Sequence, residues 1–145
     1  MKSVLIVCVG NICRSPMAVA VLRRHLPAGV QVSSAGLAAR AGDGVHPVAA
    51  EVLDAHGLAL NDHVARQLHP DMLDAADLVL TMELRHANAL RAISPRVRAK
   101  LHLMGRWDGN REVRDPCGRP RGAFEQAFTE IETFARQWCD AISRA

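Results

Sequence analysis

Cys8 and Arg14 bracket five residues, Val9-Gly10-Asn11-Ile12-Cys13, in a stretch that runs on into Ser15-Pro16. A thiol and a guanidinium at the two ends of so short a loop can converge on one tetrahedral oxyanion. The sulfur would act as nucleophile, and the planar fork would grip two of the oxygens. Ser3-Val4-Leu5-Ile6-Val7, just before the loop, is an apolar, β-branched-rich run that reads as a buried parallel strand. After it, Ser15 suits a helix N-cap and Pro16 the first helical position, with Met17 to Leu22 carrying the helix forward. A loop between strand and helix start aims free backbone N–H groups and a positive helix end at one point, which is an anion site. Helix N-termini and nearby cations favour thiolate over thiol, so Cys8 is expected as a ready nucleophile. Arg14 is the expected clamp for a phosphoryl group in flight. The cradle itself is Val9, Gly10, Asn11, Ile12, Cys13 and Ser15. Asn11 tolerates the positive φ that a strained turn needs, and the Ser15 hydroxyl can donate to the Cys8 sulfur.

Phosphoryl chemistry of this kind also needs a proton donor for the leaving oxygen. Asp115 precedes Pro116, and a residue before proline is pushed into extended backbone, which would hold its carboxyl on a stiff loop, residues 111–118. Alone, Asp-Pro is a turn element. Beside a Cys8–Arg14 loop it becomes the candidate acid.

Cys8-Val9-Gly10-Asn11-Ile12-Cys13-Arg14-Ser15-Pro16 resembles the signature of low-molecular-weight protein tyrosine phosphatases. The likeness continues through Ser34-Ala35-Gly36, residues 62–68 (Asp-His-Val-Ala-Arg-Gln-Leu), residues 77–83 and Asp115-Pro116. Ser33 to Leu37, Leu80 to Glu83 and Gly105-Arg106-Trp107-Asp108 look most like the bacterial branch. Its members are encoded with exopolysaccharide or capsule systems and act on tyrosine autokinases. The resemblance implies phosphotyrosine hydrolysis through a phosphocysteine, with Asp115 as general acid and then as the base that activates water. It implies that Ser34 and His63 bond to the loop asparagine and serine. It also implies a substrate wall of Leu37, Arg40 and Val45 together with the residue after Asp-Pro. The family usually has an aromatic there, and this chain has Cys117. No cofactor and no metal are implied, since the thiolate does that work, and the expected partner is a phosphotyrosine protein such as a bacterial tyrosine autokinase.

Positioning these groups requires alternating strands and helices. Apolar runs at Ser3–Val7, Val30–Ser34, Leu78–Met82 and Lys100–Met104 read as strands. Helical patterns fall at Pro16–His25, Pro47–His56, Leu84–Ala92 and Gly122–Ile142, with a shorter one at Pro70–Ala75. The expected fold is a three-layer α/β/α domain over residues 1–145, with a four-stranded parallel sheet and the phosphate-binding loop after the first strand. Phe124, Phe128, Ile131, Phe134, Ala135 and Trp138 recur at helical spacing, a core stripe.

Composition bounds the rest. The 145 residues carry a formal charge of +3, mostly from arginine, without the interleaved aromatics of a nucleic-acid surface, so none is expected as partner. Met1-Lys2-Ser3 leads into a strand rather than a signal peptide, and no apolar run reaches the ~18 residues of a membrane span. The four cysteines, at 8, 13, 117 and 139, show neither zinc nor disulfide-scaffold spacing, which points to a reducing cytoplasm. Oxidation is expected to close Cys8–Cys13, Cys139 is expected in the core, and the chain is expected to be a monomer. Two rival functions have the same loop. An arsenate reductase would need relay cysteines after the third strand, and residues 83–99 contain none. A catalytically silent phosphotyrosine-binding module would have no use for a thiolate together with an acid.

Overall fold

The alternating runs assemble into one sheet. The structure, a computed structural model, describes residues 1–144. Four strands, β1 (Ser3–Cys8), β2 (Gln31–Gly36), β3 (Leu78–Thr81) and β4 (Leu101–Leu103), lie parallel in the order β2-β1-β3-β4. On β1, Ser3 to Cys8 pair with Gln31 to Gly36 on one side, and Val4 to Val7 pair with Leu78 to Thr81 on the other. Five helices cover the two faces: α1 (Arg14–His25), α2 (Pro47–Ala55), α3 (Pro70–Ala75), α4 (Leu84–Ile93) and α5 (Arg121–Arg144).

The strand period of two divides the core. Val4, Ile6 and Cys8 enter a cluster with α1, α2 and the α5 stripe of Phe124, Phe128, Ile131, Phe134 and Trp138. Leu5 and Val7 point the other way, into a cluster with Leu73 of α3 and Ala87 and Leu90 of α4. β1 is therefore buried on both faces, and its last residue delivers the Cys8 thiol on the α1 side. Cys139 is buried in that same cluster.

The strand order also creates the crevice. The chain leaves β1 toward β2 on one side, whereas it leaves β3 toward β4 on the other. The loops that follow β1 and β3 diverge at the carboxyl edge, the place where open parallel sheets accept ligands.

The element ends agree with the sequence reading to within two residues, and the small differences have local causes. α1 begins at Arg14, with Cys13 as N-cap and no side-chain cap bond, so Ser15 is not the cap. Its hydroxyl is occupied elsewhere, as described below. The expected strand at Lys100–Met104 shortens to Leu101–Leu103 because 3₁₀ turns at Pro95–Lys100 and Arg106–Asp108 flank it. β2 extends past Ser34 to Gly36, where further extended chain continues its ladder: Gly36 N–H donates to the Arg66 carbonyl, and Leu68 N–H to that of Gly36.

Candidate active site

The loop from Cys8 to Cys13 is held by its carbonyls. Those of Cys8, Val9, Gly10 and Ile12 accept from the N–H groups of Leu37, Ala38, Arg40 and His46, and that of Asn11 meets His63 Nε2 at 2.7 Å. In a planar trans peptide the N–H points opposite to the C=O. Five successive carbonyls turned outward therefore turn the N–H groups of Val9, Gly10, Asn11, Ile12 and Cys13 inward, toward a common centre. This is a nest of donors at the start of α1, a fit for an anion.

Asn11 locks the loop. Its φ is +61°, in the left-handed region that asparagine tolerates, and the residue is fully buried. The Arg66 N–H lies 3.0 Å from Oδ1 and can only donate, which fixes which way the amide faces. Nδ2 then donates to Ser15 Oγ at 2.8 Å and to Ser34 Oγ at 2.9 Å. Because Ser15 Oγ accepts that bond, its own proton is free for the Cys8 sulfur 2.9 Å away. The structure thus brings Ser34 and His63 to the loop, and both contact Asn11. Neither is bonded to Ser15.

Arg14 is 2% exposed, and its Nη1 is anchored twice, by Glu83 Oε2 at 2.6 Å and by the Val113 carbonyl at 2.7 Å. Nη2 has Asp115 Oδ2 at 3.9 Å. Burial pushes the Glu83 carboxyl up, but hydrogen bonds from Arg85 and Arg14, with the Arg14 charge, outweigh it and hold the group at about 2. Glu83 is the residue that reading the sequence for chemistry missed. The available signal was its place immediately beyond β3, across the crevice from the end of β1. His86 lies behind it, nearly fully buried, with Nε2 3.3 Å from Glu83 Oε2 but off the line of a hydrogen bond. Burial, followed by the Arg14 charge, pushes its imidazole down to about 4.

Asp115 sits on the loop after β4, which is pinned over the site where Val113 N–H donates to the Met82 carbonyl. Its Oδ1 accepts from the Cys117 N–H at 3.0 Å, a local turn that leaves Oδ2 facing Arg14. The expected wall is less uniform. Leu37 and Val45 are half-buried against the two core clusters, one on each face of the sheet, so they are anchoring side chains more than an open wall. Arg40 is exposed beside Gly10, and its guanidinium is 3.3 Å from Asp43, which offsets its charge within the same loop.

Cys117 turns toward the cradle. Its sulfur lies 2.6 Å from that of Cys13, whereas the Cys8 sulfur is engaged with Ser15. The expected Cys8–Cys13 pairing therefore has a competitor. Burial, followed by the Cys117 contact, pushes the Cys13 thiol well above the ordinary range.

Inward N–H groups, a buried thiol and a doubly anchored guanidinium together define a doubly wound α/β protein built to hold a tetrahedral oxyanion against a cysteine. The chain belongs to the low molecular weight phosphotyrosine protein phosphatases, matching that family over residues 3–145. It is 48% identical over 142 residues to the low molecular weight protein-tyrosine-phosphatase Wzb of Salmonella typhi, covering 98% of this chain and 95% of that one. Among solved structures, the Erwinia amylovora tyrosine phosphatase AmsI superposes with a TM-score of 0.93 at 41% identity, over 97% of this chain and 92% of that one. Vibrio vulnificus Wzb, solved in complex with benzylphosphonate, superposes with a TM-score of 0.92 at 35% identity, over 97% and 98%. Among the described residues, no helix is long and apolar enough to cross a membrane.

Proposed function

We propose that this protein is a protein-tyrosine phosphatase that hydrolyses phosphotyrosine through a phosphocysteine on Cys8. The observation that carries the reading is the outward anchoring of five successive loop carbonyls around a thiol whose partner hydroxyl already has its other bond made. The inward N–H groups and Arg14 Nη2 hold the phosphoryl oxygens, in ground state and transition state alike, with the charge held most tightly as it spreads. The Cys8 sulfur attacks phosphorus, the bond to the tyrosine oxygen breaks, and Asp115 protonates that oxygen. Ser15 stabilises the sulfur first as attacker and later as leaving group. Asp115, now a carboxylate, takes a proton from water as the water attacks the phosphocysteine, releasing phosphate and the free thiolate.

Cys8 is 3% exposed, at the bottom of the crevice, so a long, flat aryl ester suits the site better than a short alkyl one. Of the expected wall, Arg40 and Cys117 are the exposed rim, and the half-buried Leu37 and Val45 anchor the loop that carries Arg40. With a thiol in place of an aromatic side chain, the rim offers little ring stacking, and protein substrates must be held by other contacts. The partner of this reading is a phosphorylated tyrosine autokinase of exopolysaccharide or capsule synthesis in the cytoplasm, as the resemblance to the bacterial branch implies. Asp115 beside Arg14 favours catalysis over silent binding.

The test is hydrolysis of tyrosine-phosphorylated against serine-phosphorylated peptides by the wild type, Cys8→Ser and Asp115→Ala. Release is expected from phosphotyrosine only, abolished by Cys8→Ser. Turnover that is indifferent to Cys8→Ser would overturn it. A pulldown with Cys8→Ser identifies the partner.

A further inference from the structure

Cys13 and Cys117 are 104 positions apart in sequence, yet their sulfurs are 2.6 Å apart. The sulfurs of a disulfide are ~2.0 Å apart, so about 0.6 Å of approach separates this thiol pair from a bond. Both are free thiols. Access is unequal: Cys117 is exposed on the acid-bearing loop, and Cys13 is buried at the start of α1. The chemistry proposed above uses neither sulfur. Their neighbours are central to it, however. The Cys117 N–H holds Asp115 Oδ1, and Cys13 immediately precedes Arg14.

We propose that Cys13 and Cys117 form an oxidation site, a reversible disulfide that latches the Asp115 loop onto the phosphate-binding loop without consuming Cys8. The oxidant is a peroxide. The accessible Cys117 sulfur attacks one peroxide oxygen and the O–O bond breaks. The departing oxygen leaves as water with the thiol proton, and Cys117 becomes a sulfenic acid. The Cys13 sulfur then attacks the Cys117 sulfur. The S–S bond forms, the S–O bond breaks, and the hydroxyl departs as a second water with the Cys13 proton. Two electrons have passed from the sulfur pair to the peroxide, and a small thiol such as glutathione returns them by exchange. The kinetic consequence rests on the phosphatase reading. Asp115 already faces Arg14 in the arrangement that brings the sulfurs together, so the bond fixes the acid in its working position.

The experiment treats the full chain with graded hydrogen peroxide and then follows intact mass, peptide map, melting temperature and aryl phosphate turnover. The expected product is lighter by two hydrogens and has one cross-linked peptide pair carrying Cys13 and Cys117, with Cys8 still open to alkylation. Its turnover falls far less than the ~10²-fold that a 1 Å misplacement of a catalytic group costs. It melts higher, because the link constrains a long stretch of the unfolded chain, and a thiol reductant reverses the change. Cys117→Ser, which alters an exposed side chain, should give neither the link nor the reversible rise in melting temperature. A Cys8–Cys13 link, over-oxidised Cys8 with Cys117 still free, or a Cys13–Cys117 link that abolishes turnover would each overturn the proposal. A reduced protein that hydrolyses no aryl phosphate refutes the phosphatase reading instead, and leaves the oxidation site to be judged by the peptide map.

Discussion

Glu83→Gln separates the positioning of Arg14 from the binding of an anion. Glu83 holds Arg14 Nη1 at 2.6 Å, and among the described residues the other anchor on that nitrogen is the Val113 carbonyl at 2.7 Å. Glutamine keeps an acceptor there but removes the charge. Arg14 keeps its own charge, so the bond to glutamine still has one charged partner and only the attraction of the lost carboxylate goes; with a charged bond worth about 1.5–3 kcal/mol in all, the anchor weakens by ~1–2 kcal/mol. If that loss appears as a poorly held guanidinium in the transition state, kcat falls about tenfold, since 1.4 kcal/mol is a factor of ten. KM for a small aryl phosphate should not rise, because losing a carboxylate leaves the cradle more positive. The stability effect can be worked separately. Glu83 is held at about 2 against an ordinary 4.5, and at 1.36 kcal/mol per pK unit that difference is worth at most ~3 kcal/mol. Its side chain is 18% exposed, and solvent screening brings the figure to ~2 kcal/mol. The variant should therefore melt about 4–8 °C lower at pH 7. A carboxyl with a depressed folded value stabilises above pH 4.5 and loses that effect as pH falls toward 2, so the gap between the two proteins should close over that range. Steady-state hydrolysis of para-nitrophenyl phosphate, with urea titrations at several pH values, reads both effects. An unchanged kcat, or a loss lying wholly in KM, would refute the positioning argument.

Three further outcomes follow from the same geometry. Asp115→Asn should lower kcat by about 10²–10⁴, the usual range for a positioned acid, and more for phosphotyrosine than for para-nitrophenyl phosphate, whose leaving group needs less protonation. Equal losses on the two substrates would contradict its role. Gly36→Ala places a Cβ against the Val9 carbonyl oxygen and 3.1 Å from Ala39 Cα. It should cost about 1–3 kcal/mol in urea and displace the loop enough to cut kcat/KM by ~10²-fold. His86, held at about 4 against 6.5, stays neutral in the folded protein while the unfolded chain takes up the proton. Stability is thus full above pH 6.5 and declines by ~3 kcal/mol as pH falls to 4, a decline that His86→Phe should remove. Chemical denaturation across that range checks it, and an unchanged slope in the variant would count against the assignment.

What was legible in the chain was local or periodic. The Cys8 to Pro16 stretch contains nucleophile, clamp and turn chemistry within nine consecutive residues, and the left-handed Asn11 follows from its side chain alone. The α5 stripe is a 3.6-residue repeat, and the strand–helix alternation sets the layers. The unread parts depend on distance. Glu83 meets Arg14 across 69 positions because β3 lies beside β1, which no local pattern encodes. Ser15 has the composition of an N-cap, but tertiary partners take its hydroxyl, and Cys13 takes that place without a side-chain bond. Family likeness puts Leu37 and Val45 on an open wall, whereas burial of apolar surface turns them toward the core.

In this mechanism Cys8 takes the phosphoryl group while the inward N–H groups and Arg14 hold its oxygens. Rapid acid quench of phosphotyrosine turnover, followed by peptide mapping, tests it directly. One phosphoryl group is expected on the peptide carrying Cys8, absent in Cys8→Ser. Turnover at the normal rate with no phosphopeptide, or with the phosphoryl group on another residue, would contradict it.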